Sequence, residues 1–440
     1  MREFGRRRTR VGCALGTVLK GGTVIEFEPA RVEMVDLRVE GGVIVARGLL
    51  LPTQPGDDVV DVTGKLVMPG LVCAHHRLHT TLHRAAPLPL QGSDEAALSQ
   101  GPWKLDAALD LEGVQLSAAM GALEALMCGT TTVVDQHSSP NAIRGSLLHV
   151  ARGVNEVGLR GVLSYEVTDR YGALGREEGL EENVGFIQRA QGRFRGLVGG
   201  HASYTLSNDA LEGMAQAAKA AGVGLHIELA EDPIDEKLSV ERFGETAVAR
   251  LLNAGLLTAQ SVVAHVVHLS WPELSQLIAT GAWIIHNPRS NMERQVGYAP
   301  SGKFGARATV GTNGLSGDVL ADVKLAHFRA REAGQPIDVL RYLANGHRLA
   351  SQVFNQPMGI LEPGAVADLV VLDYQAPTPL RAETLAQHVL LGFGSRWVES
   401  VMVDGVWRLW ARRPLSVAAE PLAARAREKA TELWQRAGLG

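Results

Sequence analysis

Residues 67–79 read VMPGLVCAHHRLH, two apolar runs separated by a Pro-Gly pair and followed by a group of histidines. The pattern of the chain changes close to this stretch. From about residue 66 to residue 355, short apolar runs alternate with segments rich in Ala, Leu and Glu, such as residues 111–127 and 209–221. Alternating strands and helices are typical of a parallel barrel. We therefore predict an α/β fold, a (β/α)8 TIM-type barrel, over residues 66–359.

The two ends of the chain have a different pattern, one that is typical of β-strands. Apolar or alternating runs between turn residues occur at residues 23–27, 35–39, 42–46, 368–373 and 401–407. A closing helix is predicted over residues 417–437. We predict that residues 1–65 and 360–440 form one small β-domain, with this C-terminal helix, beside the barrel.

Several segments of the barrel region carry polar residues in a recognisable order. Besides residues 67–79, they are LHIELAED at 225–232, AHVVHL at 264–269, VGTNG at 310–314, PWKLD at 102–106, DQHSSP at 135–140, HASYT at 201–205 and HNPRSNM at 286–292. With these segments the chain resembles the amidohydrolase superfamily, and within it the SsnA-type aminohydrolase branch, related to chlorohydrolases and guanine deaminases. The resemblance runs from about residue 20 to the C-terminus. It implies a site at the C-terminal ends of the barrel strands, a small nitrogen-rich substrate and a homodimer.

Three positions at which the resemblance implies metal ligands carry other residues. Arg77 replaces the second histidine of strand one, Glu228 the histidine of strand five, and Asn313 the aspartate of strand eight, whereas His75 and His265 are retained. A guanidinium about 3 Å from a divalent cation would cost on the order of 10 kcal/mol at an effective dielectric near 20. Without an ion, Arg77 and Glu228 balance in charge, so we predict a salt bridge between them within about 4 Å. No cofactor is predicted, and zinc or iron would require a rearranged site.

The resemblance also suggests roles for the other polar residues of the site. Glu231 matches the proton-transferring glutamate of the family, and we predict that it is catalytic together with His75 and His265. Glu231 could equally be a structural cap, and the two histidines could be hydrogen-bonded parts of the barrel mouth. Predicted substrate contacts are Arg77, His201, Glu228, His286 and Asn313. Side chains expected to be structural are His137, His226, His268 and Trp103.

Three functions agree with these residues. The predicted one is a metal-independent enzyme that uses proton transfer in a lyase, isomerase, cyclising or condensation reaction on a small polar nitrogen-containing substrate. The second is a non-catalytic binding or partner subunit, since a fold does not dictate a function. The third is a metal-dependent aminohydrolase or deaminase that acts on C–N bonds through a rearranged site, for example one that recruits His76 or His79.

Charge and cysteine content argue against several classes of protein. The 440 residues carry a formal net charge of −4, and because no long basic stripe occurs, nucleic acid is not an expected partner. Three scattered cysteines indicate a reducing compartment. The basic residues 6–10 are expected to be a solvated tail, and no apolar run approaches the roughly 20 residues of a membrane span. We predict a cytoplasmic protein that acts on a small molecule, without a membrane partner.

Overall fold

A computed structural model describes residues 16–88 and 101–439, and the basic tail at residues 6–10 lies outside these ranges. The strands of the described ranges are β1 (Thr17–Lys20), β2 (Thr23–Phe27), β3 (Ala30–Met34), β4 (Asp36–Glu40), β5 (Val43–Gly48), β6 (Asp58–Asp61), β7 (Leu66–Pro69), β8 (Leu71–His76), β9 (Thr130–His137), β10 (Arg160–Tyr165), β11 (Phe194–Gly196), β12 (Val198–Gly200), β13 (Leu225–Leu229), β14 (Val262–His265), β15 (Trp283–His286), β16 (Ala308–Val310), β17 (Leu369–Leu372), β18 (Val398–Val403), β19 (Val406–Trp410) and β20 (Arg413–Pro414).

The α-helices of the same ranges are α1 (Pro102–Ala108), α2 (Leu111–Met127), α3 (Ser146–Val157), α4 (Gly172–Arg189), α5 (Asn208–Ala221), α6 (Pro233–Phe243), α7 (Ala247–Asn253), α8 (Trp271–Ala279), α9 (Pro288–Glu293), α10 (Val319–Glu332), α11 (Val339–Phe354), α12 (Leu385–Leu391) and α13 (Ala419–Arg436). Capping residues explain several of their first turns. Asp110, for example, accepts a hydrogen bond from the Gly113 amide at 2.7 Å, which satisfies a free donor at the start of α2. Among the described residues, no helix combines the length and the apolar character of a membrane span.

Parallel strands form a barrel with eight strand positions. One sheet contains β8 to β11 and the next contains β12 to β16. Parallel bridges join the two sheets at both seams, between Val167 and Gly200 and between His76 and Asn313. β11 and β12 are two halves of one strand position. The eight positions, in chain order, are therefore β8, β9, β10, β11 together with β12, β13, β14, β15 and β16, which is the order of a (β/α)8 barrel. The predicted TIM-type fold is confirmed.

The burial of these strands follows from their place between two apolar layers. Strands β8, β9, β10 and β13 are buried along their whole length. Helices cover the outer face of a parallel sheet of this kind, and side chains fill its interior, so both faces of each strand are buried. Polar residues therefore concentrate where the strands end, and these ends position the site.

Strands from both ends of the chain pair with each other beside the barrel. β17 runs antiparallel to β7, and β7 lies parallel to β2, within a seven-stranded sheet ordered β20, β19, β18, β17, β7, β2, β3. A four-stranded sheet, ordered β5, β4, β1, β6, packs nearby, and Val24, Leu37 and Val371 belong to a shared apolar cluster. Since β7 belongs to this terminal sheet, the barrel itself begins with β8, just after Gly70.

Candidate metal and substrate site

Three polar side chains meet at the C-terminal mouth of the barrel. His75 lies near the end of β8, Glu228 near the end of β13, and His265 at the end of β14. The Nε2 atoms of His75 and His265 lie 3.4 Å and 3.7 Å from Glu228 Oε1. One ligand atom from each of the three residues lies within 4.8 Å of the other two. The strand ends thus bring together residues that are far apart in sequence.

The two histidines are oriented by their other ring nitrogens. His75 Nδ1 lies 2.9 Å from His226 Nε2, and His265 Nδ1 lies 2.8 Å from Asn291 Oδ1. Both histidine Nε2 atoms are buried, and neither has a hydrogen-bond partner among the described residues. Partners of this kind hold a metal-binding histidine in one tautomer and one orientation. Two histidines and a glutamate are also a common ligand set of catalytic zinc, so these residues fit a divalent metal.

The backbone beside His265 adopts a conformation that is rare for its residue types. His265 has a φ of 73° and Val266 a φ of 54°, although left-handed backbone is strongly disfavoured for a β-branched residue. The Val266 amide donates to the Leu229 carbonyl at 3.0 Å and helps to hold this turn. Strained backbone of this kind is concentrated at functional sites, where it aims side chains. The turn therefore supports a functional role for His265.

Arg77 forms the predicted salt bridge, and it also has a second carboxylate partner. Its Nη1 lies 2.8 Å from Glu228 Oε1, which confirms the expected contact. Its Nη2 lies 2.6 Å from Oε2 of Glu166, the residue directly after β10. Glu166 in turn accepts a hydrogen bond from Arg170 through Oε1. The guanidinium of Arg77 is therefore neutralised from two sides.

Charges in this cluster change the acidity of its members. Burial is the largest influence on the Glu228 and Glu166 carboxylates and disfavours their ionised forms. Arg77 and the neighbouring histidine and arginine side chains together outweigh burial and hold the pKa of both groups below the usual range. Burial lowers the pKa of His75. For His265, burial acts in the same direction, but Glu231 and Glu228 outweigh it and raise the pKa.

Glu231 stands two residues beyond the end of β13 and is held by one of its two oxygens. Arg294 Nη1 donates to Glu231 Oε2 at 2.9 Å, whereas Oε1 has no hydrogen-bond partner within the described ranges. Oε1 lies 3.4 Å from His265 Nδ1. A carboxylate that is fixed at one oxygen and unsatisfied at the other is suited to exchange a proton with a bound molecule.

A pocket of about 380 Å³ opens above this cluster. Its lining includes Arg77, His201, Glu228, Glu231 and Asn313, five of the residues that the sequence predicted for the site. His75 and His265 contact Glu228 beneath it. His286 is not part of the lining; it is buried with its ring 6.1 Å from that of Phe304. The structure thus does not bring His286 to the pocket wall with the others.

Asn313 and His201, both in the pocket wall, have different hydrogen-bond partners. Asn313 Nδ2 donates to Ser290 Oγ at 2.9 Å, and its Oδ1 is buried without a hydrogen-bond partner in the described chain. His201 Nδ1 lies 3.0 Å from Thr205 Oγ1, which orients its ring. An amide oxygen can accept a hydrogen bond but cannot take a proton at neutral pH. Asn313 is therefore a potential contact and not a base.

The histidines at and just beyond the end of strand one lie near other polar groups. His76 Nδ1 lies 2.6 Å from the Asn313 carbonyl oxygen, and a 3-10 helix, Leu78–His83, carries the next two histidines. His79 Nε2 and His83 Nδ1 lie 3.4 Å and 3.7 Å from Asp106 Oδ1. Of the residues expected to be structural, His137, His226 and His268 contact Ser139, Ser164 and Val296 respectively.

Three further residues of the site were missed or assigned elsewhere by sequence reasoning. Glu166 follows a buried strand at the barrel mouth, a signal that was available in the sequence. Arg294 lies just beyond α9 and has no comparable signal, because only the fold brings it to Glu231. Trp103 lines the pocket, and the Arg170 guanidinium lies 4.1 Å from its ring centroid. The expectation that Trp103 packs against the barrel stays a prediction, because lining the pocket does not exclude it.

Comparisons with known proteins place this geometry in a family of enzymes. A profile of the amidohydrolase family matches residues 66–408. A 5-methylthioadenosine/S-adenosylhomocysteine deaminase of Caldanaerobacter subterraneus is 28% identical, over 89% of this chain and 92% of that protein. A 5'-deoxyadenosine deaminase of Methanopyrus kandleri is 31% identical, over 82% of this chain and 83% of that protein.

Solved structures share the fold at lower identity. An adenosine deaminase from Xanthomonas campestris with bound zinc has a TM-score of 0.80 at 22% identity, covering 95% of this chain and 98% of that one. An atrazine chlorohydrolase from Arthrobacter aurescens complexed with zinc has a TM-score of 0.83 at 22% identity, covering 94% and 100%. The expectation of an enzyme is confirmed, because the relatives are named enzymes.

Two predictions are wrong. The relatives are named deaminases and hydrolases, which contradicts a metal-independent lyase or isomerase. Zinc-bound neighbours and the candidate site of His75, Glu228 and His265 contradict the absence of a cofactor. The charge argument failed because it assigned Glu228 to Arg77 alone. Glu166 supplies a second carboxylate, so Arg77 can be balanced while Glu228 acts as a ligand.

Proposed function

The chain belongs to the amidohydrolase family, and from this premise we propose that it is a metal-dependent deaminase of an amino-substituted nitrogen heterocycle, of the adenine type. The observation that carries the proposal is the convergence of two unpartnered histidine Nε2 atoms on the carboxylate of Glu228. The names of the relatives support the substrate class, because several are adenosine-derivative deaminases. His75, Glu228 and His265 would hold the ion, which supplies a Lewis acid that lowers the pKa of a water molecule.

The reaction replaces an exocyclic amino group by oxygen. Water adds its oxygen to the ring carbon, the C–N bond breaks, and the amino group leaves as ammonia after taking up a proton. Glu231 is the residue that we propose to carry this proton, because its Oε1 is unsatisfied and Arg294 fixes its Oε2. Asn313 cannot share the task, since an amide does not accept a proton at neutral pH. Proton transfer therefore depends on Glu231 in this site.

The remaining residues would orient the substrate. Arg77, His201 and Asn313 present polar groups at the wall, and Trp103 and Leu105 give part of the wall an apolar surface. A flat heterocycle matches a pocket of about 380 Å³ with an aromatic wall and a few polar contacts. We further propose that the protein works in the cytoplasm as a homodimer, which sedimentation velocity would test.

Metal analysis combined with ammonia release tests the proposal. The purified protein would be reconstituted with zinc, dialysed, and incubated with 5'-methylthioadenosine, 5'-deoxyadenosine, adenosine, guanine and an amino-triazine. We expect about one bound metal equivalent and ammonia release from at least one purine compound. Removal of the metal by a chelator should abolish the release, and added zinc should restore it.

Two matched variants locate the metal. His265→Gln removes a proposed ligand and should abolish both metal binding and ammonia release. His268→Gln alters a nearby histidine whose Nε2 lies 2.6 Å from the Val296 carbonyl oxygen, and it should retain the metal. A reconstituted, folded protein with far less than one metal equivalent and no ammonia release from any of these compounds would refute the proposal.

A further inference from the structure

Arg77 presents a problem that the proposed metal site has to solve. Glu228 Oε1 lies 3.4 Å and 3.7 Å from the two histidine Nε2 atoms, and it also accepts the 2.8 Å hydrogen bond from Arg77 Nη1. A divalent ion and a guanidinium would therefore compete for the same oxygen. Arg77 is almost enclosed, with only 12% of its side chain exposed, so it cannot escape into solvent without a large movement.

Glu166 offers Arg77 a second partner, at the guanidinium nitrogen that does not contact Glu228. Its Oε2 accepts from Arg77 Nη2 at 2.6 Å, and its side chain is fully buried. Arg170 holds the other oxygen of Glu166 and packs over Trp103. The carboxylate is thus anchored independently of Arg77, and it is not among the three residues that could hold a metal.

From this arrangement we propose that Glu166 is a positioning residue for the metal centre: it retains and neutralises Arg77, which leaves Glu228 available as the third ligand. The inference rests on the proposed metal-dependent function. Without the Glu166 charge, Arg77 would have Glu228 as its one carboxylate partner within 4.0 Å among the described residues, and its positive charge would oppose a divalent ion. Glu166 would therefore act on the metal through Arg77 alone.

This dependence on Arg77 distinguishes positioning from a general structural role. Glu166→Gln keeps the shape of the side chain and removes its charge, and it should weaken zinc binding about 10- to 100-fold, the usual effect of losing an outer partner of a metal site. Arg77→Met removes the competing cation and should tighten zinc binding. In the double variant, Glu166→Gln should have little further effect, because no cation remains to be held.

Zinc affinity would be measured by competition with a chromophoric chelator, using the full-length protein, and folding would be checked by circular dichroism. Glu124→Gln is the matched control: it breaks the Arg84–Glu124 ion pair at the pocket rim, 2.6 Å long, away from the proposed ligands, and should leave zinc affinity unchanged. If Glu166→Gln does not fold, Arg77→Met still tests the idea, since unchanged or weaker zinc binding by that variant would contradict it.

The outcomes separate the two proposals. Zinc binding by the unaltered protein together with equal weakening by Glu166→Gln in the presence and absence of Arg77 would overturn the positioning role alone. Zinc binding that is unaffected by Glu166→Gln would do the same. Failure of every variant and of the unaltered protein to bind zinc would overturn the metal-dependent function and, with it, this inference.

Discussion

Strand β10 connects two charge networks that differ in one respect. At its start, Arg160 Nε lies 2.9 Å from Asp368 Oδ2 and Arg160 Nη2 lies 2.8 Å from Asp404 Oδ1, which ties the barrel to the terminal sheet. Just beyond its end, Glu166 belongs to the cluster with Arg77 and Glu228. We call these the lower network (Arg160, Asp368, Asp404) and the mouth network (Arg77, Glu166, Glu228).

The difference lies in the polar atoms that surround each network. Neither network has a side-chain atom of its own three residues that is buried without a hydrogen-bond partner in the described structure, and beside the lower network such an atom is Arg408 Nε, whose charge interacts with Asp404 and Asp368. Around the mouth network, the unpartnered buried atoms include His75 Nε2, His265 Nε2 and Glu231 Oε1. Unsatisfied buried polar groups cost free energy and persist where a ligand completes them. An arginine paired with carboxylates therefore does not identify a site by itself, whereas several unsatisfied atoms that converge beside such a pair mark a candidate.

The largest effect is expected from removal of the proton carrier at the mouth. Glu231→Gln should lower kcat/KM by about 10² to 10⁴, the usual range for loss of a general acid or base. Zinc content and melting temperature should stay close to those of the unaltered protein, because Glu231 is not one of the three proposed ligands. Steady-state ammonia release would measure the rate. A fully active Glu231→Gln protein would show that Glu231 Oε1 does not carry the proton.

The lower network should respond in stability and not in rate. Asp368→Asn removes one carboxylate from the buried Arg160 guanidinium and should lower the free energy of unfolding by about 3 to 5 kcal/mol. Urea denaturation would measure this loss, and ammonia release per folded molecule should change by less than about twofold, since the two networks lie at opposite ends of β10. If Asp368→Asn slowed ammonia release without lowering the free energy of unfolding, the lower network would serve catalysis and not stability, contrary to this prediction.

A buried acid near the mouth should make stability depend on pH. Asp135 lies on β9, its Oδ1 accepts from the Leu78 amide at 2.6 Å, and burial raises its pKa to about 7. Between its ordinary pKa and about 7, the folded protein retains a proton that the unfolded chain has lost, so this group destabilises the fold as pH rises. Asp135→Asn should remove the dependence.

The measurement is the free energy of unfolding of both proteins at pH 5 and pH 8. Relative to the unaltered protein, Asp135→Asn should gain about 3 kcal/mol between these two pH values, because the amide keeps its shape and never ionises. Equal pH dependence of the two proteins would mean that Asp135 is solvated or paired. In that case Asp135 Oδ2 would have a hydrogen-bond partner in solution, although it has none in the described structure.

The smallest effect is expected at the exposed side of the lower network. Asp404 has 44% of its side chain exposed, and Asp368 still holds Arg160 when Asp404 is altered. Asp404→Asn should therefore lower the free energy of unfolding by about 1 kcal/mol or less. Urea denaturation beside Asp368→Asn would check the ranking, and a larger loss for Asp404→Asn would show that exposure does not set the contribution of each carboxylate.

The sequence determined the architecture to a large extent, because its periodic patterns are local. A helix was expected at residues 111–127 and another at 209–221, and the structure has Leu111–Met127 and Asn208–Ala221. The strand expected at residues 23–27 is Thr23–Phe27. The order of the motifs likewise assigned Glu228 and His265 to the correct neighbouring strands, because a barrel repeats one unit in chain order.

The partners of the polar side chains were decided only by the tertiary structure. Arg77 and Glu228 could be paired from their places in the motif, but the sequence did not reveal that Glu166 and Arg294 lie 2.6 Å and 2.9 Å from Arg77 and Glu231 respectively. Their separations along the chain are 89 and 63 residues, so no local pattern relates them. The charge balance of a site depends on every carboxylate within a few ångströms, and only the closed barrel brings those carboxylates together.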